Sequence, residues 1–287
     1  MQITTCYNCF SKNRSFYAEE NGHSLVKCGK CGLLYLKERP DDTEISQAHK
    51  QGKHSGLVEL DVTGQFTDSK VPNYLKVLKD IYQYDFRNNV KWLDIGCGHG
   101  EFMTALQHYA TGTIIVTGSE PNVQKQQSAR KRGLDVSYFD IETHTGTYDV
   151  ISLLNVYSHL PNPLKFIESL KRCLNKDGEI IIETGDTADL QAKHHYRPFY
   201  LPDHLSFASE KIVTDILVRL GFKIISINKY PYPNSQRFQS RCIFVKELMK
   251  AVLPHRDTKF TGIFRSYLNQ KLWSKTDMYI RARLIQP

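Results

Sequence analysis

A glycine-rich loop between an apolar strand and a helix is the feature that most constrains this chain. Residues 93–100 read LDIGCGHG, and the pattern predicts a buried strand over 90–95 before the loop and a helix over 100–110 after it. This is the setting in which bare backbone binds a nucleotide-type ligand. A dinucleotide fingerprint would need glycine at position 101, which is Glu101, and a P-loop would need Gly-Lys-Ser/Thr. The loop therefore matches neither of those motifs.

Strands and helices alternate through most of the remaining chain. The predicted strands cover 90–95, 113–119, 135–139, 149–154, 179–183, 222–227 and 278–284, and the predicted helices cover 73–84, 100–110, 123–132, 162–174 and 209–220. Such alternation is typical of βαβ units in a parallel sheet, whose ligand lies at the carboxyl ends of the central strands. The last strand alternates in the manner of an edge strand.

The glycine loop and the elements after it resemble the class I S-adenosylmethionine (SAM) dependent methyltransferases. The Asp-x-Gly-x-Gly-x-Gly pattern is similar to their first motif, and the resemblance covers about residues 73–229, with 278–284 as the last antiparallel strand. It implies an α/β fold with a Rossmann-like seven-stranded class I methyltransferase sheet, and SAM as the cofactor. In such a protein the cofactor carries the activated methyl group, and the chain supplies alignment and electrostatics.

The resemblance assigns SAM-binding roles at the ends of four strands. Asp94 matches the acid that orients the SAM ammonium group, and Glu120 matches the acid that accepts both ribose hydroxyls. Asp140 matches the position beside adenine, and Asn155 matches the wall near the methionine part. The loop itself completes the predicted set with Gly96, Cys97, Gly98 and Gly100.

A histidine-containing stretch supplies the candidate catalytic group. Residues 200–207 (YLPDHLSF) lie between the fifth strand and the helix over 209–220, which directs them to the carboxyl edge of the sheet. The stretch resembles a segment of the sugar C-methyltransferases, which also bear an N-terminal zinc module. On that resemblance His204 is the candidate general base, accompanied by Asp203 and Tyr200, although Pro202-Asp203 replaces that family's His-Glu. A structural histidine bonded to a loop carbonyl is the alternative.

Four of the seven cysteines form two closely spaced pairs near the N-terminus. Cys6 and Cys9, then Cys28 and Cys31, give two Cys-x2-Cys pairs separated by 18 residues. Two such knuckles can aim four thiolates at one tetrahedral zinc ion. Because four thiolates leave no open position, the sequence predicts a structural Zn²⁺ in a ribbon over residues 1–40. Free or disulfide-bonded cysteines are the alternative.

The remaining segments are a linker and a basic insertion. Residues 41–72 are polar and are interpreted as a linker that folds over the active site, and residues 73–287 as the methyltransferase domain. The formal charge of +8 is uneven, because residues 229–287 carry 12 Lys or Arg against three Asp or Glu. Residues 230–277 are predicted to form a basic helical insertion, which could be a lid, a cationic acceptor site or a membrane-surface helix.

Three functions are compatible with these features. The first is methyl transfer to a small or glycosyl acceptor, such as a nucleotide-linked sugar or a surface-polysaccharide precursor, whose negative charge would suit the basic segment. The second is RNA methylation, and the third is a non-catalytic SAM-binding zinc scaffold. No apolar run reaches transmembrane length and the first residues lack a secretory pattern, so a cytoplasmic location is expected.

Overall fold

The computed structural model of the chain describes residues 1–83, 89–110, 114–231 and 276–285. The basic insertion predicted over 230–277 therefore lies almost entirely outside the described residues. Within those ranges, no helix combines the length and the apolar character that crossing a bilayer requires.

The N-terminal segment is a small antiparallel sheet followed by a helix and a short hairpin. Strands β1 (Arg14–Glu20), β2 (His23–Cys28) and β3 (Leu34–Leu36) pair in that order, helix α1 spans Asp42–Gln51, and β4 (Lys53–His54) pairs with β5 (Leu60–Asp61). Asp41 and Glu44 cap α1 through a reciprocal capping box. The segment interpreted as a linker thus contains a helix. The apolar spacing of α1 is weak, because among its residues Ile45 alone is buried.

A seven-stranded sheet forms the centre of the fold. Its strands are β6 (Val90–Ile95), β7 (Ile114–Ser119), β8 (Val136–Ser137), β9 (Tyr148–Leu154), β10 (Leu174–Gly185), β12 (Phe222–Tyr230) and β13 (Asp277–Leu284), in the spatial order β12-β13-β10-β9-β6-β7-β8. β6 to β10 are parallel, whereas β13 is antiparallel to both β10 and β12. The α/β, Rossmann-like seven-stranded fold class is confirmed.

Helices bury apolar residues against both faces of this sheet. They are α2 (Lys70–Tyr82), α3 (Glu101–Tyr109), α4 (Val123–Arg130), α5 (Pro163–Leu170) and α6 (Glu210–Arg219). Trp92 packs with residues of α2 and α3, whereas its neighbour Leu93 packs with residues of α5 and α6. Both residues are fully buried, as expected for a parallel sheet covered on two sides. Because helices cover both faces of the sheet, the carboxyl ends of the strands are where a ligand can bind.

The last strand does not lie at the edge of the sheet, so that expectation is wrong. β13 is hydrogen-bonded between β10 and β12, and β12 occupies the edge. The polar alternation of β13 comes from Arg281 and Arg283, which form ion pairs with Glu179 of β10 at 2.7 Å each. These arginines satisfy a carboxylate that is only 6 % exposed, and the alternation therefore does not mark a free strand edge.

The N-terminal sheet takes its fourth strand from the methyltransferase domain. β11 (Ser206–Phe207) pairs antiparallel with β3, with Ser206 opposite Tyr35 and Phe207 opposite Leu34. The sheet order is β1-β2-β3-β11. The N-terminal segment is thus joined by backbone hydrogen bonds to the stretch that carries the candidate catalytic residues.

Candidate functional site

The glycine loop after β6 has the conformation that only glycine adopts without strain. Gly96, Gly98 and Gly100 have φ angles of 68°, 58° and 93°, in the left-handed region. A Cβ atom at Gly96 would collide with the side chain of Val156, whereas at Gly98 it would meet no atom within 4 Å. The loop therefore offers bare backbone beside open space, which fits a closely bound ligand.

Asp94 lies at the end of β6 in an almost fully buried position. It is 2 % exposed, and its Oδ1 accepts a hydrogen bond of 2.5 Å from the hydroxyl of Ser152. The pKa of Asp94 is raised to about 7, chiefly by burial and also by the charges of Glu120 and Glu101, while the Ser152 bond acts in the opposite direction. A cationic group placed here would favour the ionised carboxylate, which fits the predicted contact with the SAM ammonium group.

Glu120 links the glycine loop to the end of β7. It is 5 % exposed, its Oε2 accepts from the N–H of Gly98 at 2.9 Å, and its Oε1 accepts from the N–H of Asn122 at 2.9 Å. Each carboxylate oxygen has two acceptor positions, so one position on each oxygen remains for the two ribose hydroxyls. The residues present therefore fit SAM.

Asn122 is a site residue that sequence reasoning misses. Its Oδ1 caps α4 by accepting from the N–H of Lys125 at 3.0 Å, which is the role that its position predicts. Its amide nitrogen is buried without a hydrogen-bond partner among the described residues. Such a donor is costly unless a ligand satisfies it. The sequence feature that could have identified Asn122 is its position two residues after Glu120.

The other predicted SAM-binding residues also follow the sheet strands. Asp140 is exposed and its Oδ1 accepts from the N–H of Glu142 at 2.9 Å, which closes a turn after β8. Asn155 follows β9 with a φ of 55°. The Cys97 thiol is buried, and burial raises its pKa far above the ordinary value, so the thiol stays protonated. The roles of these three residues toward SAM stay predictions.

The residues over 41–72 cross the carboxyl edge of the sheet near the glycine loop. Nε2 of His99 in the loop lies 2.9 Å from the carbonyl oxygen of Thr63. Gly52, at the end of α1, lies against Thr63 and Asn122 so closely that a Cβ atom would collide with both. The segment therefore covers the loop that the sequence assigns to SAM.

A cluster of four histidines and one aspartate lies at the same edge. His49 belongs to α1 and His54 to β4, His159 follows β9, and Asp203 and His204 follow β10. Oδ1 of Asp203 lies 3.0 Å from Nε2 of His54 and 3.0 Å from Nδ1 of His159. The rings of His159 and His204 are 4.7 Å apart, centroid to centroid. Sequence reasoning finds Asp203 and His204 but misses His49 and His54, which stand in a polar segment without a recognisable motif.

Asp203 and His159 form a buried ion pair within this cluster. Burial favours the neutral carboxyl, but the charge and hydrogen bond of His159 outweigh it and hold the pKa of Asp203 well below its usual range. Burial likewise opposes protonation of His159, yet Asp203 raises the pKa of that imidazole. Asp203 thus contacts His159 and His54, and it is not the group that fixes the orientation of His204.

His204 is oriented by a backbone carbonyl. Its Nδ1 lies 2.8 Å from the carbonyl oxygen of Phe199, and because a carbonyl only accepts, Nδ1 carries the proton and Nε2 carries the lone pair. Burial, with the nearby charge of His159, lowers the pKa of His204 to about 4. The imidazole is therefore neutral at pH 7. This bond is the one that a structural histidine would make, and it also sets the tautomer that a base needs, so the role of His204 stays a prediction.

Tyr200 stands beside His204 at the surface. It is 44 % exposed, has a φ of 60°, and presents the edge of its ring to His204 at 6.1 Å between centroids. It shapes the wall around the imidazole, and its assignment to the catalytic group stays a prediction.

The four N-terminal cysteines converge on one point. The Sγ atoms of Cys6 and Cys31 are 3.5 Å apart, as are those of Cys9 and Cys28, and all four sulfurs lie within 4.8 Å of one another. A tetrahedral zinc ion with Zn–S bonds of about 2.3 Å requires sulfurs about 3.8 Å apart. The six described cysteines are free thiols, and Cys242 lies outside the described residues. The four residues fit the predicted structural zinc ion.

The N-terminal sheet holds the stretch that carries the candidate catalytic residues in place. The carboxylate of Glu20 in β1 accepts from the N–H groups of Phe199, at 2.8 Å, and Leu201, at 3.3 Å. The hydroxyl of Tyr7, between the first two cysteines, is 3.2 Å from that of Ser206. Residues 199–206 are therefore fastened to the N-terminal sheet at both ends.

The fold and this site together define a class I SAM-dependent methyltransferase. The chain belongs to the methyltransferase domain family, which matches residues 63–227, more than half of the sequence. The identity of the family agrees with the glycine loop and with the strand order.

Curated relatives are similar to this chain over its central part. The ubiquinone biosynthesis O-methyltransferase of Glaesserella parasuis serovar 5 (strain SH0165) is 32 % identical over 160 residues, covering 50 % of this chain and 64 % of that protein. That of Vibrio parahaemolyticus serotype O3:K6 (strain RIMD 2210633) is 29 % identical over 131 residues, covering 43 % and 56 %. The chain thus spans less than two thirds of these relatives' length. They give no specific support for a sugar acceptor, which stays a prediction.

Solved structures share the fold at low identity. A SAM dependent methyltransferase from Archaeoglobus fulgidus has a TM-score of 0.53 and 18 % identity, covering 74 % of this chain and 94 % of that one. The [4+2]-cyclase SpnF has a TM-score of 0.51 and 15 % identity, covering 78 % and 85 %. Because SpnF is named for a cyclisation and not for methyl transfer, the fold alone does not determine the chemistry.

Proposed function

We propose that this chain transfers a methyl group from SAM to a small-molecule acceptor, and that His204 accepts the proton that the acceptor loses. The observation that carries the proposal is the position of His204, whose Nδ1 lies 2.8 Å from the Phe199 carbonyl, which leaves Nε2 as the proton acceptor. It stands in the stretch after β10, at the same edge of the sheet as the glycine loop after β6.

The residues after β6 and β7 would bind and orient SAM. Gly96 and Gly98 let the backbone approach the methionine part, Asp94 faces its ammonium group, and Glu120 accepts its ribose hydroxyls. The amide nitrogen of Asn122, a buried donor without a partner among the described residues, would find an acceptor on the bound SAM. When bound, SAM supplies a methyl group on a positively charged sulfur, which makes the transfer favourable.

His204 would act on the acceptor side of the reaction. Its Nε2 would take the proton from a hydroxyl or an acidic C–H as that oxygen or carbon forms its bond to the methyl group and the bond from the methyl carbon to the SAM sulfur breaks, with its electron pair left on sulfur. Burial and the charge of His159 disfavour the resulting imidazolium, so that it would release its proton readily, and the negative charge of Asp203 partly offsets them. The hydrogen bond to Phe199 would keep the ring in position throughout.

Two acceptor classes follow from separate observations. The resemblance of residues 200–207 to sugar C-methyltransferases supports a nucleotide-linked sugar or a surface-polysaccharide precursor, and the basic character of residues 229–287 suits its negative charge. The identity of 29–32 % to two ubiquinone biosynthesis O-methyltransferases supports a hydroxyl acceptor instead. RNA methylation and a non-catalytic role are then outcomes of the test.

A methyl-transfer screen with labelled SAM tests this function. Nucleotide sugars, glycans, small hydroxylated aromatic compounds and bulk RNA would be offered to the pure chain and to His204→Ala. The proposal is supported if the label enters a small acceptor and if His204→Ala abolishes this transfer. Calorimetry should show that the variant still binds SAM. Label in RNA alone, or transfer to a small acceptor at the same rate by His204→Ala, contradicts it. SAM binding without transfer to any acceptor would favour the non-catalytic scaffold.

A further inference from the structure

Three side chains at the carboxyl edge of the sheet come together as potential metal ligands. His49, His159 and Asp203 each have one donor atom within 4.8 Å of the donors of the other two. They come from α1, from the turn after β9 and from the stretch after β10, so the fold alone brings them together. This group is distinct from the four cysteines.

We propose that His49, His159 and Asp203 bind a divalent transition-metal ion such as zinc, cobalt or iron. Two imidazoles and one carboxylate suit ions of this kind. With bonds of about 2.1 Å, a tetrahedral ion requires donor atoms about 3.4 Å apart, so small side-chain rotations from the present arrangement would close the site. Three protein ligands leave a coordination position open for water or substrate.

His49 gives the strongest indication of a missing ligand. Its Nε2 is buried and has no hydrogen-bond partner among the described residues. A buried polar atom without a partner is uncommon and calls for an explanation. The ion pair between His159 and Asp203 accounts for those two residues, but it leaves this nitrogen unexplained. A shared metal ion would satisfy all three.

The surroundings of the group also suit a metal site. Nε2 of His54 makes no well-aligned hydrogen bond among the described residues but lies 3.0 Å from Oδ1 of Asp203, so a small ring rotation would let its N–H orient the carboxylate, as outer partners of metal ligands commonly do. Asp203 is 7 % exposed, and a divalent ion would balance its buried charge. His54 and Pro202 line a cleft of about 710 Å³ between the N-terminal sheet and α1. The cleft thus reaches two residues that neighbour the proposed ligands.

The consequence for catalysis rests on the proposed function. An ion with an open coordination position would lower the pKa of a hydroxyl bound there. It would also hold that oxygen near His204, whose ring is 4.7 Å from that of His159. The site would therefore favour an acceptor that presents an oxygen to the metal. Binding of the ion itself does not depend on methyl transfer.

A cobalt titration of the zinc-loaded full-length chain, without SAM, tests the site. Co²⁺ bound by imidazole and carboxylate gives weak visible bands, whereas Co²⁺ bound by cysteine gives intense sulfur charge-transfer bands. We expect one Co²⁺ per chain in addition to one zinc, measured by elemental analysis, with weak visible bands only. His49→Ala and His159→Ala should each weaken Co²⁺ binding by about tenfold or more. His108→Gln, which changes an exposed histidine on α3, should bind as the unchanged chain does.

His49→Ala also separates loss of the metal site from loss of folding, because the Nε2 that it removes makes no hydrogen bond in the described structure. Its circular dichroism and its unfolding temperature without Co²⁺ should match those of the unchanged chain. The proposal is overturned if no second ion binds, if the bands are those of cysteine ligands with release of zinc, or if both alanine variants bind Co²⁺ as tightly as the His108→Gln control. None of these outcomes depends on whether the chain methylates an acceptor.

Discussion

The buried carboxyl of Asp94 makes the stability of the SAM-free protein depend on pH in a predictable direction. Its pKa is raised from 3.8 to about 7, chiefly by burial. Because the pKa is higher in the folded state, protonated Asp94 stabilises the fold. This contribution is complete below pH 3.8 and is lost as the pH rises through about 7. A shift of about three pH units corresponds to about 4 kcal/mol. Asp94→Asn keeps a similar shape without the charge, so it should stabilise the chain by an amount that grows toward about 4 kcal/mol between pH 4 and pH 8.

The same carboxyl should couple SAM binding to a proton. The ammonium group of SAM favours the ionised carboxylate, so the affinity for SAM should rise with pH up to about 7 and then level off, with release of one proton below that point. Asp94→Asn should bind SAM more weakly, and its affinity should lack this step.

Urea unfolding at pH 5, 6, 7 and 8 and calorimetry in buffers of different ionisation enthalpy would measure both effects. Asp68→Asn, which changes an exposed carboxylate, is the matched control and should show neither effect. If the free-energy difference between Asp94→Asn and the unchanged chain is constant from pH 5 to pH 8, the reasoning about burial is refuted.

Three further outcomes are expected from the site geometry. Glu120→Gln should weaken SAM binding about 10-fold to 100-fold, because it removes the charge that accepts the ribose hydroxyls; unchanged affinity in calorimetry would exclude that contact. His204→Ala should lower kcat on the true acceptor about 10²-fold to 10⁴-fold without changing SAM affinity, and a loss confined to KM would point to a positioning role. Cys28→Ser should release the zinc ion, measured by elemental analysis, and should lower transfer more than SAM affinity, because the N-terminal sheet contacts the acceptor-side stretch; an equal loss of both would argue for general unfolding.

Local patterns were sufficient to predict the central strands. The strand Val90–Ile95 has the bounds that its apolar run predicts, and the glycine loop follows it with the expected left-handed angles. These features depend on neighbours within about ten residues, which a single sequence displays. The convergence of the four cysteines was also predictable, because paired spacing is a local signal for a shared metal ion.

The parts that sequence reasoning missed depend on contacts between distant segments. Helix Asp42–Gln51 is stabilised at its start by a polar capping box and has little apolar period, so hydrophobic spacing does not reveal it. His49 and His159 are 110 residues apart in the chain, and their rings come within 6.3 Å only after the helix has crossed the sheet edge. The place of the last strand was mistaken because the arginines that gave it a polar pattern bind the buried carboxylate of Glu179.

The position of the N-terminal sheet indicates how a structural zinc ion at the four cysteines would affect methyl transfer without taking part in the chemistry. SAM contacts are assigned to the loops after β6, β7, β8 and β9. Among the described residues these loops add no strand to the N-terminal sheet, and the loop after β9 contacts the N-terminal segment through the hydroxyls of Tyr157 and Tyr7, 3.2 Å apart. Residues 199–207, by contrast, are held by Glu20 through two backbone N–H groups and by the pairing of β11 with β3. Asp203 and His204 lie within that fastened stretch. Loss of the zinc-bound knuckles would therefore loosen the acceptor side first, while the donor side keeps its own supports in the seven-stranded sheet.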